Sequence, residues 1–80
     1  MSAVQATFQR LALVAARRYA RDADSLRPED DVFVALDIDS VEALEFVTEL
    51  EREFGVEIPD HELLSIRSLG QLAGAIERAR

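Results

Sequence analysis

The chain has 80 residues, with 9 basic and 16 acidic side chains and one His, which gives a formal net charge of −7. That is the size of one small domain, expected to span residues 1–80, whose single core must be held by well-packed helices or strands. No cysteine is present. Disulfides and any thiol chemistry supplied by the chain itself are thereby excluded, and a lone His cannot build a His-rich metal site.

The charge is unevenly distributed. All the basic residues are Arg; residues 1–27 and 63–80 carry net positive charge, whereas residues 28–62 hold thirteen acids against Arg52 alone. Such a segment repels nucleic acid and anionic membrane and attracts a basic protein surface, although a merely solvated acidic face has the same composition. The apolar run Leu11–Ala16, between Arg10 and Arg17, is too short for a signal-peptide core or a membrane span. A cytoplasmic protein with no membrane span is expected.

In chain order, the first element is a helix. Ser2 and Gln5 have capping-box spacing, and Val4, Phe8, Leu11, Ala12, Ala15 and Tyr19 recur at helical intervals, which predicts an amphipathic helix over residues 3–19. From Arg21 to Asp39 the period is lost. This reads as a long loop pinned by Leu26, Val32, Phe33, Leu36 and Ile38, with a helical turn starting at Pro28. A second long helix is expected from Ser40, capped by Asp39 with Glu42 three residues on, and ending at Gly55.

At about 100° per residue, Ala43, Phe46, Val47, Leu50 and Phe54 share the inner face of that helix. Val41 and Leu44 fall on the other side with Glu45, Thr48 and Arg52. They are either ordinary isolated exposed residues or a docking contact. A short helical segment is expected at Pro59–Leu64. Ser68 and Gln71 form another capping box, opening a last helix to Ala79 with Leu69, Leu72, Ala73 and Ile76 inside. No strand period is present. The fold class is all-α, a small four-helix bundle of three longer helices and one short one, with a long loop between the first two.

The stretch "FVALDIDSVEALEFVTELEREFGVEIP" resembles acyl carrier proteins, in which an Asp-Ser-Leu-like triplet opens the second helix and a Phe-Gly-x-x-Ile-Pro-like segment follows it. Helix lengths, the long first loop, the acidic middle and the terminal "SLGQLAGAI" extend the resemblance over nearly the whole chain. Val41 stands where the family usually has Leu, and Asp37 where a Gly commonly precedes the triplet. Asp24-Ser25-Leu26 matches the triplet letter for letter, but Pro28 would fall in the first turn of a helix starting there, and no Phe-Gly-x-x-Ile-Pro follows at helix distance. Ser25 therefore reads as a loop or turn serine.

The resemblance implies a covalent 4′-phosphopantetheine on Ser40, flanked by Asp39 and Val41. A phosphodiester there would lie near free backbone N–H groups and the positive end of the helix dipole, offsetting repulsion from Asp37 and Asp39. The arm would bring the thiol that the chain lacks, and acyl groups would travel on it as thioesters. Ser40 is then a modified side chain and not a catalytic nucleophile, since no His or Lys accompanies it at any readable spacing. No catalytic residue and no metal ligand is assigned: His61 beside Asp60 and Glu62 gives no metal geometry, and the Asp30, Asp31, Asp37, Asp39 spacing is not a calcium loop.

Carried over position by position, the recognition face comprises Val41, Glu42, Leu44, Glu45, Thr48 and Glu51, with Glu57 and Asp60 adding charge; Arg52 stands where an acid is common. The implied partners are a holo-carrier synthase (phosphopantetheinyl transferase) and acyl-transfer and condensing enzymes with basic docking surfaces, met by a monomeric carrier. The Asp before Ser40, in place of the His usual in peptidyl carriers, points to fatty-acid or polyketide cargo. The alternative is an unmodified acidic helical adaptor that binds a basic partner. Phe8, Phe33, Phe46 and Phe54 read as core, and the resemblance implies that some of them also line a cavity for the acyl chain.

Overall fold

Ser2, in extended conformation, accepts the Gln5 N–H on its hydroxyl at 3.0 Å and so starts α1, Ala3–Tyr19, in a computed structural model that describes residues 2–80. The helix stops where Ala20 turns left-handed (φ 54°) and donates its N–H to the Ala16 carbonyl. Its inner stripe is Thr7, Phe8, Leu11, Ala12, Val14 and Ala15. Thr7 and Val14 were not anticipated, and Val4, expected inside, is exposed in the first turn. Thr7 is tolerated there because its hydroxyl donates to Glu77 Oε2 at 2.6 Å.

The long connection contains more structure than a loop. A 3₁₀ turn occupies Ala23–Ser25, and a five-residue helix, α2, spans Val32–Leu36. The expected helical turn at Pro28 is thus corrected: Pro28 sits in a tight turn closed by Asp30 N–H donating to the Arg27 carbonyl at 3.1 Å. The helix starts later because the Asp31 carboxylate caps both Phe33 N–H and Val34 N–H, at 2.8 and 3.1 Å. Leu26, Val32, Leu36 and Ile38 are buried as anchors, whereas Phe33 is only half-buried.

What fixes this segment is backbone hydrogen bonding to the start of the last helix, α5 (Leu69–Ala79). Val32 N–H donates to the Arg67 carbonyl at 2.8 Å, Leu69 N–H to Asp30 at 3.0 Å and Gly70 N–H to Pro28 at 2.7 Å. First-turn N–H groups of α5 that have no intrahelical acceptor are thereby satisfied by the loop. The capping box is complete at this helix: Ser68 Oγ accepts from Gln71 N–H, and Gln71 Oε1 accepts from Ser68 N–H, each at 3.0 Å.

α3 runs Ser40–Phe54, with Asp39 Oδ1 accepting from Glu42 N–H at 2.9 Å and Gly55 ending it at φ 66°. Phe46 and Leu50 are fully buried, and Ala43, Val47 and Phe54 pack against the core from its margin. The Phe-Gly-x-x-Ile-Pro segment now has a physical reading. Gly55 supplies the left-handed turn, Ile58 is buried, and Pro59 precedes α4 (Asp60–Leu63) with its φ of −58°.

Three long helices, α1, α3 and α5, enclose a core of Leu11, Leu36, Phe46, Leu50, Leu69, Leu72 and Ile76, with α1 lying against both others. The all-α expectation holds, with α2 as an addition. Tyr19 meets Phe46 edge-on, centroids 5.6 Å apart. The Arg-bearing ends of the chain fold back on the acidic middle: Arg18 pairs with Glu49 at 3.4 Å, Arg10 with Glu53 at 4.0 Å and Arg78 with Glu62 at 2.7 Å. Hydrogen bonding to the Tyr19 hydroxyl, with help from the Glu49 and Glu45 carboxylates, raises the Arg18 pKa. Exposed pairs of this kind contribute at most about 1 kcal/mol each. Their larger effect is to neutralise one flank of α3 and leave the other acidic.

Candidate functional site

Ser40 is the first residue of α3 and is exposed. Among the described residues its hydroxyl has no hydrogen-bond partner, nor do the backbone N–H groups of Ser40 and Val41, because the Asp39 side chain is used on Glu42 and the Asp39 carbonyl on Ala43. Two unpartnered N–H groups at the positive end of a fifteen-residue helix favour a negative group. Ser25, the competing serine, is placed differently. It lies in the 3₁₀ turn with its hydroxyl donating to the Asp22 carbonyl at 2.7 Å, while Leu26 is buried.

The approach to Ser40 is shaped by Asp37. This residue takes φ 55° and ψ 52° at the end of α2, the left-handed conformation that glycine adopts most readily, and donates its N–H to the Phe33 carbonyl. Ile38 N–H donates to the same carbonyl at 3.1 Å. The chain therefore turns from α2 into the Asp39 cap within three residues, and Ile38 is buried behind the turn.

Beside Ser40 opens a cavity of about 400 Å³, walled by Val32 and Phe33 of α2, Ala43, Leu44 and Val47 of α3, and Leu63, Leu64, Ile66 and Leu72 beyond. Arg67, itself exposed, is the single charged residue among those that line it. Leu44 and Leu64 are exposed at its rim, at 56% and 88%. Sequence patterning identified Phe33 as an anchor but not the cavity, and it did not mark Leu63, Ile66 or Arg67 as site residues. The only signal was a cluster of apolar residues without helical period, and which way each points depends on how α2 and the α4–α5 connection pack.

The outer face of α3 presents Val41 (67% exposed), Leu44, Glu45, Thr48 and Arg52 together, with Glu42 exposed to one side. Thr48 donates its hydroxyl to the Leu44 carbonyl at 3.0 Å, so its methyl group is the freer end. Glu57 and Asp60 are exposed beyond the C-terminus of α3. Glu51 departs from this set. It is half-buried and its Oε2 accepts the Ile58 N–H at 2.8 Å, while its carbonyl accepts from Gly55 and Val56, so it holds the Gly55–Ile58 turn. Glu49 and Glu53 lie toward α1 with their Arg partners. His61 is exposed, and among the described residues no cluster of His, Cys, Asp or Glu could hold a metal ion.

The comparisons with known proteins agree with this geometry. The family model for the phosphopantetheine attachment site matches residues 9–76. An acyl carrier protein from Lactobacillus acidophilus is 34% identical over 70 residues, 88% of each chain. One from Helicobacter hepaticus is 32% identical over 71 residues, 89% of this chain and 93% of its own. The solved structure of the acyl carrier protein from Enterococcus faecalis, described for its high thermal stability, superposes with a TM-score of 0.77 at 28% identity, over 99% of this chain and 100% of that one. The chain therefore belongs to the acyl carrier protein family, whose members bear 4′-phosphopantetheine on a serine and are carriers, not enzymes.

Proposed function

We propose that Ser40 carries the 4′-phosphopantetheine arm and that the outer face of α3 is where partner enzymes dock, residues 1–80 acting as one monomeric carrier domain in the cytoplasm. The observation that carries this reading is the position of Ser40: an exposed, unpartnered hydroxyl at the start of α3, on the wall of the apolar cavity. The cofactor fits the residues present. Two free N–H groups suit its phosphodiester, and the cysteine-free chain depends on its thiol. When bound, it supplies a thioester-forming sulfur.

This chain's own residues do the rest. Asp39 fixes the start of α3 through Glu42 N–H and so fixes where Ser40 projects. A holo-carrier synthase would form a phosphoester bond at Ser40 Oγ while cleaving the pyrophosphate of coenzyme A, releasing adenosine 3′,5′-bisphosphate, and the hydroxyl proton would pass to a base on the synthase. A hydrocarbon segment entering the cavity gains about 0.8 kcal/mol for each methylene removed from water.

Docking follows from the charge left unpaired. Glu42, Glu45, Glu57 and Asp60 form no ion pair among the described residues; Glu42 and Glu45 flank exposed Val41 and Leu44 on α3, and Glu57 and Asp60 extend the acidic charge beyond its C-terminus. That is an apolar centre with an acidic rim, suited to acyl-transfer and condensing enzymes with basic surfaces. Arg52 adds a positive charge to that face. Glu51 contributes its exposed part only, its carboxylate being committed to Ile58.

Intact-mass measurement after incubation with coenzyme A and a broad-specificity phosphopantetheinyl transferase tests the attachment. The wild type should gain one phosphopantetheinyl increment and Ser40→Ala none, with its helical circular dichroism unchanged. An increment that survives Ser40→Ala, or one lost only in Ser25→Ala, would place the arm elsewhere.

A further inference from the structure

Residues 28–62 contain thirteen acids and one base, and that base, Arg52, stands exposed on the outer face of α3. At about 100° per residue it falls in line with Val41 and Thr48 along the middle of the face, with Glu45 close beside that line. The acids nearest to it in sequence are engaged elsewhere: Glu49 with Arg18 at 3.4 Å, Glu53 with Arg10 at 4.0 Å, and Glu51 with the Ile58 N–H at 2.8 Å. Arg17, Arg21, Arg27 and Arg67 also lack an acidic partner among the described residues, but none of them lies on α3. Arg52 alone of the arginines shares a face with Val41, Leu44 and Glu45. Along that face the sign of the charge therefore changes twice. Glu42 and Glu45 are negative in the first two turns, Arg52 is positive about 10 Å beyond Glu45, and Glu57 and Asp60 are negative past the end of the helix. A uniformly basic surface laid along it is attracted at both ends and repelled in the middle.

We propose that Arg52 determines partner specificity at the docking face: the acyl-transfer enzyme that works with this carrier presents an acidic side chain to Arg52, set within its basic surface about 10 Å from the base that meets Glu45. Enzymes whose docking surfaces are basic throughout are disfavoured by the same residue. The proposal rests on the reading of the outer face of α3 as the docking surface and names the chemistry of what docks there. Arg52 also lies in the last turn, where a cation suits the helix dipole. That second role acts on stability and leaves substrate recognition untouched.

The test uses the acyl transferase of the protein's own organism that charges the holo form with the highest kcat/KM. Wild type, Arg52→Lys, Arg52→Gln, Arg52→Glu and Glu45→Gln are converted to the holo form by a broad-specificity phosphopantetheinyl transferase, verified by intact mass, and titrated as substrates. Arg52→Lys should keep KM within about twofold, whereas Arg52→Gln should raise it about 2–3-fold and Arg52→Glu about 5–10-fold, with kcat unchanged. These differences should shrink at about 0.5 M salt. A KM that stays constant across the Arg52 series, or that falls in Arg52→Glu as a uniformly basic partner requires, overturns the proposal. So does a rise that persists undiminished at high salt. If Glu45→Gln raises KM and Arg52→Glu does not, this proposal alone fails; if neither changes KM, the reading of the face as a docking surface fails with it.

Discussion

Two glycines of α5, one turn apart, should respond to the same substitution with opposite sign. Gly70 lies under the long connection, and a Cβ built there would sit 2.9 Å from the Pro28 carbonyl oxygen and 3.0 Å from Pro28 Cβ. Both atoms belong to a rigid turn that cannot rotate out of the way as a side chain can. Relief requires moving the loop by about half an ångström, which strains the three backbone hydrogen bonds of 2.7–3.0 Å that join residues 28–32 to residues 67–70. Forced overpacking of this kind costs about 1–3 kcal/mol. Each weakened hydrogen bond forfeits part of its net value of about 1 kcal/mol. Against this stands the gain in helix propensity from Gly to Ala, about 1 kcal/mol in a helix interior and less in a first turn. The loop wins, and Gly70→Ala should destabilise by about 1–3 kcal/mol.

At Gly74 the only neighbour is Arg78 Nη1 at 3.4 Å, the far end of a flexible exposed side chain. Propensity wins there, and Gly74→Ala should stabilise by about 0.5–1 kcal/mol. Thermal melts followed by circular dichroism resolve the difference, since 1 kcal/mol corresponds to about 4–8 °C in a domain of this size. Because Val32 and Phe33 wall the cavity, Gly70→Ala should also loosen its α2 side. Faster amide exchange at Val32 and Gly70 would report that. If Gly70→Ala stabilises as much as Gly74→Ala, the close approach does not constrain the loop, and the account of how the connection is held is wrong.

The same melts check two residues that set the geometry before Ser40. Asp37→Gly should raise stability by about 0.5 kcal/mol, because relief of a left-handed φ of 55° outweighs the added freedom of the unfolded chain, whereas Asp37→Val should lower it by more than about 1 kcal/mol; equal effects would show that the backbone does not need that conformation. Asp39→Ala removes the acceptor for Glu42 N–H and should cost about 1 kcal/mol, with Asp39→Asn recovering most of the loss, as read by chemical denaturation. A loss that Asn fails to recover would mean that the charge, and not the cap, was the contribution.

Residues whose role follows from position along one helix were legible without coordinates. Asp39, Ser40, Gly55, Ser68 and Gln71 are end signals whose geometry depends on neighbours within four residues, and each occupies the cap or turn its type implies. Val41 and Leu44 were assigned to the outer face of α3 by angle alone and are exposed there. The failures share a different cause. Pro28 carries a strong helix-start signal, yet its carbonyl is taken by Gly70 N–H, forty-two residues away, and the Asp31 cap moves the helix to Val32. Thr7 is absent from the apolar pattern of α1, and it is buried because the packing of α1 on α5 brings Glu77 beside it.

Glu51 shows how the two kinds of information combine at the site. The family resemblance places it with the docking acids, and its type suits a basic partner; only the fold reveals that its carboxylate closes the turn at Ile58, so its charge is shared between partner and scaffold. The consequence reaches Ser40 from the other end of the helix. Asp39 fixes the start of α3 and Glu51 the turn after its end, so both ends of the face that carries Val41, Leu44 and Glu45 are anchored by carboxylates of the acidic segment. Those acids therefore cannot be replaced by alanine to test docking without also loosening the helix they hold. Glu42, Glu45, Glu57 and Asp60, exposed and free of any ion pair among the described residues, are the positions where charge can be removed with those two anchors left in place.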